Sequence, residues 1–344
     1  IVAGVHEIDA QTSRHDLFPG EYAATSSRLY GFASFRGVER LVRTDVQTPG
    51  YMRAPFEHPA CYAMESAIDE LAYALGQDPV ELRLANDTSV DSPTGLPLSS
   101  RHVAACLRRG AERFGWAQRS MAPQSMHGED GSQIGWGVAL GAYPGIMVPA
   151  IAHLKVADDG NVTISVGGHE MGQGIRTALA NAVSRKLDVP LEKVSVVIGD
   201  TRVAPQHLTA GSWGTASAIP AAEDACDAML KALADLSRTG VRGSPAEILK
   251  AAGRQSLEVE VQRKAPGQPD AIFERLRAGL PSIGGPVYGS YVTFSYIAHF
   301  VEVRVEPGTR RIRVPRVVSV ADCGRVISPR TAASQVRGGV VWGI

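Results

Sequence analysis

The sequence predicts an α+β fold, with helices and strands mixed and packed together rather than alternating in regular βαβ units. Three observations predict it. Helical periods fill residues 61–86 and 99–116. From residue 150 the grammar changes to alternating, strand-like runs, interrupted by two long helical stretches at 174–190 and 215–236. The tail then returns to alternating strands around a tight turn. No internal repeat is visible.

The elements follow in order. "IVAGVHEIDAQ" reads as a strand entered midway rather than as a helix cap or signal peptide. "CYAMESAIDELAYALG" (61–76) sets Met64, Ile68, Leu71 and Leu75 on one stripe and ends at Gly76, where a helix should stop. In "DPVELRLAN", Asp78 as N-cap, Pro79 at the first helical position and Glu81 three residues past the cap form a helix-start signature. Residues 87–99 are turn-forming and mark a domain boundary, dividing the chain into 1–90 and 91–344. "SSRHVAACLRRGAERFGW" is helical again, and 117–133 is a polar surface loop. "AIAHLKVADDGNVTISVGG" predicts a hairpin turning at Asp158–Asp159–Gly160. A helix, a buried strand ("VSVVIGDT") and a long small-residue helix bent at Pro220 come next. Residues 237–290 are rich in Gly and Pro, with one helix ("PAEILKAAG") and one strand ("LEVEVQ"). "AHFVEVRVEPGTRRIRVPRVVSVADCG" gives the closing pair of strands.

Composition narrows the function. The chain has 344 residues, enough for a large core and more than one domain. Thirty-five Lys plus Arg balance thirty-five Asp plus Glu, so no nucleic-acid surface is implied. No apolar run approaches bilayer length, and neither a membrane segment nor a targeting segment is expected. Cys61, Cys106, Cys226 and Cys323 are scattered without zinc or iron–sulfur spacing and read as buried free thiols. Both ends suggest a piece of a longer polypeptide.

Chemistry concentrates in "VGGHEMGQG" (166–174), which packs four glycines and Gln173 between a strand and a helix. Such a turn can offer backbone N–H groups to an anion, or it can be a plain tight connection. There is no nucleophile elbow, H-E-x-x-H, Walker loop or placed dinucleotide fingerprint. His169 and Glu170 are sequence neighbours, which point to opposite faces of a strand and make a poor proton-transfer pair. His58, in "APFEHPAC", is either a ligand or substrate contact or an ordinary loop histidine.

Four segments, in order, resemble the molybdenum-binding subunits of the xanthine oxidase and aldehyde oxidase family of molybdenum hydroxylases. "MRAPFEHPACYAMESAIDELAYALGQDPVELRLAN" is similar to the family's Arg-containing loop with its two following helices. "GGHEMGQG" resembles its cofactor loop, "LTAGSWGTAS" a second cofactor loop, and "DCGRVISPRTAASQVRGGVVWGI" the segment that carries a cofactor-binding Gln. The segment "SSRHVAACLRRGAERFGW" looks most like bacterial three-subunit aldehyde oxidoreductases.

The resemblance implies a molybdenum held by the dithiolene sulfurs of molybdopterin, in the cytosine dinucleotide form, with no protein metal ligand. Gly172, Gln173, Gly174, Ala210, Gly211, Ser212 and Gln335 would contact that cofactor, and Arg53 would sit near the metal. Gln335 has a plainer reading as a buried amide bonding local backbone. Phe56, where relatives carry Gly, and Tyr143, in "GAYPG", would face substrate; Tyr143 is equally readable as a core tyrosine. The implied reaction is hydroxylation of an aldehyde, or of a purine or N-heteroaromatic ring, with oxygen from water. Electrons would leave to an iron–sulfur subunit (2Fe-2S) and an FAD subunit. The general-base Glu of the family belongs to a segment beyond Ile344, and no catalytic residue is assigned here. Glu65 and Glu70 are read instead as a solvated helix face, and Glu170 as part of the cofactor-loop motif. Ser328, where Asn is common, loses a little hydrogen-bonding capacity. Relatives occur in cytoplasm and periplasm. Two other readings compete: a fragment that keeps only the fold, and an unrelated nucleotide-binding enzyme using "GGHEMGQG" as a phosphate loop.

Overall fold

A computed structural model describes residues 1–205, 208–237 and 243–344. In chain order it contains β1 (Ala3–Ser13), α1 (Tyr22–Ser26), β2 (Ser34–Thr44), α2 (Glu57–Leu75), α3 (Pro79–Ala85), α4 (Val103–Phe114), β3 (Gln133–Pro144), β4 (Ala150–Ala157), β5 (Val162–Val166), α5 (Ile175–Leu187), β6 (Val194–Val197), α6 (Gly214–Leu236), α7 (Pro245–Ala251), β7 (Ser256–Arg263), α8 (Ile272–Arg277), β8 (Phe294–Val305), β9 (Ile312–Asp322) and α9 (Pro329–Gly343). The fold is α+β, and the chain forms two compact units. One comprises residues 1–144, 290–324 and 339–344; the other comprises 145–289 and 325–338.

The first unit is built on an antiparallel sheet ordered β3-β8-β9. Val138, Leu140 and Ala142 on β3 alternate with outward residues, as do Tyr296, Ala298 and Phe300 on β8, so one face enters the core. Met64, Ile68 and Ala72 of α2 join the same core. Leu75, expected on that stripe, is exposed. Gly110 lets α4 lie on the sheet: a Cβ there would stand 2.3 Å from the Phe300 ring. Asp78 caps α3 as read from the sequence, accepting from the amides of Val80 (2.7 Å) and Glu81 (3.3 Å). It also takes the indole N–H of Trp116 at 2.9 Å. The remaining pair, β1 and β2, is parallel, and β2 carries no alternation strong enough to have been read from sequence.

The second unit has a four-stranded sheet ordered β6-β5-β4-β7. The predicted hairpin is present as β4 and β5, turning with Gly160 at φ 84°. Strand β7, whose role was opaque in the sequence, pairs antiparallel with β4 and completes the sheet. Helices α5 and α6 cover one face through Leu179, Val183, Ala222 and Met229, all fully buried. Pro220 lies inside α6, which continues from Gly214 to Leu236 although the proline withholds one N–H from the helix.

The boundary expected at residue 90 does not separate these units. Strand β3 finds its partner about 160 residues later in β8, so both α2 and α4 pack onto one sheet made from distant stretches. The cysteines also differ from expectation. Cys106 and Cys226 are buried, Cys61 is half-buried and Cys323 is exposed.

Candidate functional site

In the second unit, β5 ends at Val166 and α5 starts at Ile175, so the glycine-rich loop connects strand to helix as its composition predicts. Its amides, however, already hold an anion, and that anion is the chain's own Glu170. The Glu170 carboxylate accepts from Gly172 N–H (2.9 Å), Gly174 N–H (2.9 Å) and Arg176 N–H (3.1 Å). Partial burial pushes this carboxyl up, but the three amides and the Arg176 charge outweigh it and hold it below its ordinary value. The generic phosphate-loop reading therefore loses the donors it required. His169 turns elsewhere, its backbone N–H and Nδ1 lying 3.0 and 2.9 Å from Thr209 Oγ1, so His169 and Glu170 are not a catalytic pair.

Gln173 braces the loop from within. Its Oε1 accepts from Met171 N–H and its Nε2 donates to the His169 carbonyl, both at 2.6 Å. Each end of the amide keeps capacity for one more bond. The His169 contact brings residues 208–212 alongside. There Gly211 (φ 54°) and Ser212 (φ 57°) are left-handed, and the Trp213 ring packs so closely that a Cβ on Gly211 would stand 2.2 Å from it. Gln335 of α9 donates to the Gly172 carbonyl at 3.4 Å. The fold thus gathers Gly172, Gln173, Gly174, Ala210, Gly211, Ser212 and Gln335 from three separate segments into one neighbourhood of the second unit.

Gly174 has φ 85°, and a Cβ there would meet Thr331 at 2.7 Å. Gly174→Ala should destabilise the second unit by about 1–2 kcal/mol through strain and overlap. Thermal unfolding of the variant checks this, with Gly172→Ala as the comparison, since nothing stands within 4 Å of that Cβ.

The other three sequence-predicted residues lie in the first unit. Arg53 is exposed, and it and Ala54 have positive φ (23° and 58°), a strained pair in the loop that opens α2. Phe56 sits in an aromatic cluster. Its ring packs against Phe18, Tyr22 and Tyr51, with centroids 5.4–6.0 Å apart, and it does not line the cavity described next. Aromatic packing has claimed it.

Tyr143 does line that cavity, a space of about 660 Å³ enclosed by α2, β3 and β8, within the usual size of small-molecule sites. It exists because the outward face of β3 is nearly bare: Gly135, Gly137, Ala139 and Gly141 recur at every second position. A Cβ on Gly137 would meet nothing within 4 Å. The alternation in "GWGVALGAY" was the sequence signal for this face, and it went unread. His58, exposed, and Cys61 also line the space. Burial pushes the Cys61 thiol up to about 12, which leaves it protonated and inert.

Three carboxylates of α2, Glu57, Glu65 and Asp69, stand in the wall. Glu65, expected on a solvated face, is 5% exposed. It accepts from the Tyr30 hydroxyl, from Arg83 Nε at 2.8 Å and from Leu140 N–H at 2.7 Å. Arg83, itself fully buried, also reaches Asp69 at 2.9 Å. Glu57 is 9% exposed, and its Oε2 is buried with no hydrogen-bond partner among the described residues. Burial raises its carboxyl above the ordinary value, partly opposed by nearby amides of Glu57 and Phe56. Among the described residues no group of three His, Cys, Asp or Glu could hold a metal ion, and no helix is long and apolar enough to cross a membrane.

Comparison with known proteins follows the same lines. Residues 9–87 and 109–344 each match a family model described as a molybdopterin cofactor-binding domain. The chain is 34% identical over 322 residues to the aldehyde oxidoreductase molybdenum-binding subunit PaoC of Escherichia coli, an alignment covering 93% of this chain and 43% of that protein. It is 26% identical to a putative xanthine dehydrogenase molybdenum-binding subunit, XdhA, of the same organism, over 92% of this chain and 44% of the relative. The chain therefore spans a little under half the length of these relatives. Among solved structures, the aldehyde oxidoreductase of Desulfovibrio desulfuricans matches with TM-score 0.76 at 24% identity, covering 99% of this chain and 37% of that one. CO dehydrogenase from Oligotropha carboxidovorans matches with TM-score 0.79 at 18% identity, covering 98% and 46%. At these identities the structural matches speak to the fold.

Proposed function

The chain belongs to the molybdopterin cofactor-binding family of molybdenum hydroxylase subunits, and on that premise we propose that it is the cofactor-holding part of an oxidoreductase that converts aldehydes to carboxylic acids. The observation that carries this is the convergence of the loop at 169–174, the loop at 209–212 and Gln335 of α9.

The residues fit a pterin that brings its own metal-binding sulfurs. Such a group needs close backbone approach and amide side chains from the protein, not a cluster of metal ligands. Open space beside Gly172 and the left-handed backbone at Gly172, Gly211 and Ser212 provide the approach. Gln173 and Gln335 supply the amides, and Ala210 adds no bulk. These residues would hold the pterin. When bound, the group supplies a two-electron acceptor and activates water for attack on the substrate carbon.

What the chain contributes is rigidity. Glu170 locks the amides of Gly172, Gly174 and Arg176, so that the loop is held in one arrangement. Tyr143, which lines the cavity of the first unit, would face the substrate. In the complete assembly the pterin would be the cytosine dinucleotide form, and electrons would pass to an iron–sulfur subunit (2Fe-2S) and an FAD subunit.

The test is the molybdenum and pterin content of the purified native assembly, followed by aldehyde-dependent dye reduction. Near one molybdenum per chain with turnover of an aldehyde is the expected result. An assembly without molybdenum or pterin would overturn the reading, and turnover of N-heteroaromatic rings but no aldehyde would reassign the substrate.

A further inference from the structure

We propose that Thr209 is a positioning residue of the cofactor site, a latch whose hydroxyl holds the loop at 208–212 against the loop at 169–174. The inference rests on the reading of these two loops as a cofactor cradle, and it names the side chain that keeps them in register.

Each loop has bracing of its own. In the first, Glu170 and Gln173 engage the amides of Met171, Gly172, Gly174 and Arg176. In the second, the buried Trp213 donates its indole N–H to the Leu208 carbonyl at 2.9 Å and lays its ring over Gly211, which fixes the turn to the start of α6. Neither set of contacts says where one loop stands against the other. Among the described residues, the hydrogen bonds that join 169–174 to 208–212 both end on Thr209 Oγ1: the His169 backbone N–H donates to it at 3.0 Å, and His169 Nδ1 lies 2.9 Å away. Apolar burial does not replace them, since His169 is exposed, Leu208 is 58% exposed, and Thr209 and Ala210 are half-buried.

A hydroxyl suits both bonds. It has two lone pairs and one hydrogen, so it accepts from the backbone while pairing with the imidazole in either tautomer. The pattern also reaches past the joint. The His169 carbonyl accepts from Gln173 Nε2, and Gln173 Oε1 accepts from Met171 N–H, both at 2.6 Å. A hydrogen-bonded chain therefore runs from Thr209 through His169 to Gln173. One oxygen sets the place of that amide as well as of Ala210, Gly211 and Ser212.

Thr209→Val keeps the shape of the side chain and removes both bonds, whereas His169→Phe removes the ring's bond and leaves the backbone's. Thr209→Ser keeps the hydroxyl, and His169→Asn can present an oxygen or an N–H near the place of Nδ1. In the full chain, hydrogen exchange at the His169 amide should quicken roughly 10-fold in Thr209→Val and return to the parent rate in Thr209→Ser. In the native assembly, Thr209→Val should keep about a third or less of the parent's molybdenum and pterin, His169→Phe an intermediate share, and the Ser and Asn variants close to all of it. Thermal unfolding should stay at the parent's value, because the joint lies outside the core. Unchanged exchange in Thr209→Val, full cofactor retention despite faster exchange, or a cofactor loss that comes with a general fall in melting temperature overturns the proposal. A parent assembly without molybdenum or pterin would overturn the cofactor reading itself, and the exchange rates would still decide the latch.

Discussion

Glu65→Leu should lower the stability of the first unit by about 3–5 kcal/mol, the largest effect expected of any single substitution here. The carboxylate and the Arg83 guanidinium are 5% and 0% exposed, so their pairing is not screened by water. Burial works against the Arg83 charge, and the neighbouring Glu65 and Asp69 carboxylates more than compensate, holding it firmly protonated. Removing Glu65 leaves that cation with Asp69 alone, which is 36% exposed, and also orphans the Tyr30 hydroxyl and the Leu140 amide. The measurement is denaturant unfolding of the single variant beside the double variant Glu65→Leu with Arg83→Met. The double should recover at least about 1 kcal/mol, because an uncompensated buried charge is worse than an apolar pair. A loss below about 1 kcal/mol for the single variant would show the network to be dispensable. The consequence reaches the cavity: Glu65 ties α2 to β3 at Leu140, and residues of both elements line it.

The second expectation concerns cofactor retention. Glu170→Ala in the native assembly should reduce bound molybdenum and pterin by roughly 10-fold or more, since loss of a capping carboxylate costs about 1–2 kcal/mol and each 1.4 kcal/mol is a factor of ten. Three amides would lose their acceptor at once, and the loop would no longer hold one shape. The pH dependence has a definite sign. A carboxyl held below its ordinary value in the folded state contributes stability that is complete above about 4.5, and that contribution fades as pH falls through the lower folded value. Metal and pterin analysis of Glu170→Ala and Glu170→Gln, compared with the parent, reads the effect. Glu170→Gln should be milder, because its carbonyl oxygen still accepts. Full retention of cofactor in Glu170→Ala would mean that the pterin, not Glu170, organises the loop.

Much of the fold was legible because local chemistry wrote it into short stretches. Asp78-Pro79 announced the start of α3, Gly76 the end of α2, and Asp158–Gly160 the hairpin of β4 and β5. The motif segments were legible too, since the chemistry of a close-approach loop requires glycine at fixed places. Other features were hidden. The parallel pairing of β1 with β2 and the pairing of β3 with β8 join residues far apart in sequence, and no local period encodes a partner. Nor does anything local announce that Phe56, which stands where relatives carry Gly, packs against three aromatic rings from other segments.

By itself the sequence determined the class of the fold through turn geometry and helix capping, which are properties of neighbouring residues, and the family through the resemblance of four ordered segments. Only the tertiary structure decided how those pieces are used. It turned the amides of "GHEMGQG" inward onto Glu170 rather than outward to an anion, and it moved Glu65 from an expected solvated face into a buried ion pair. It also buried one oxygen of Glu57 without a hydrogen-bond partner among the described residues, and opened a cavity along the glycines of β3. The physical reason is the same in each case. A carboxylate's role depends on which donors and how much water surround it, and those are set by residues brought together only when the chain has folded.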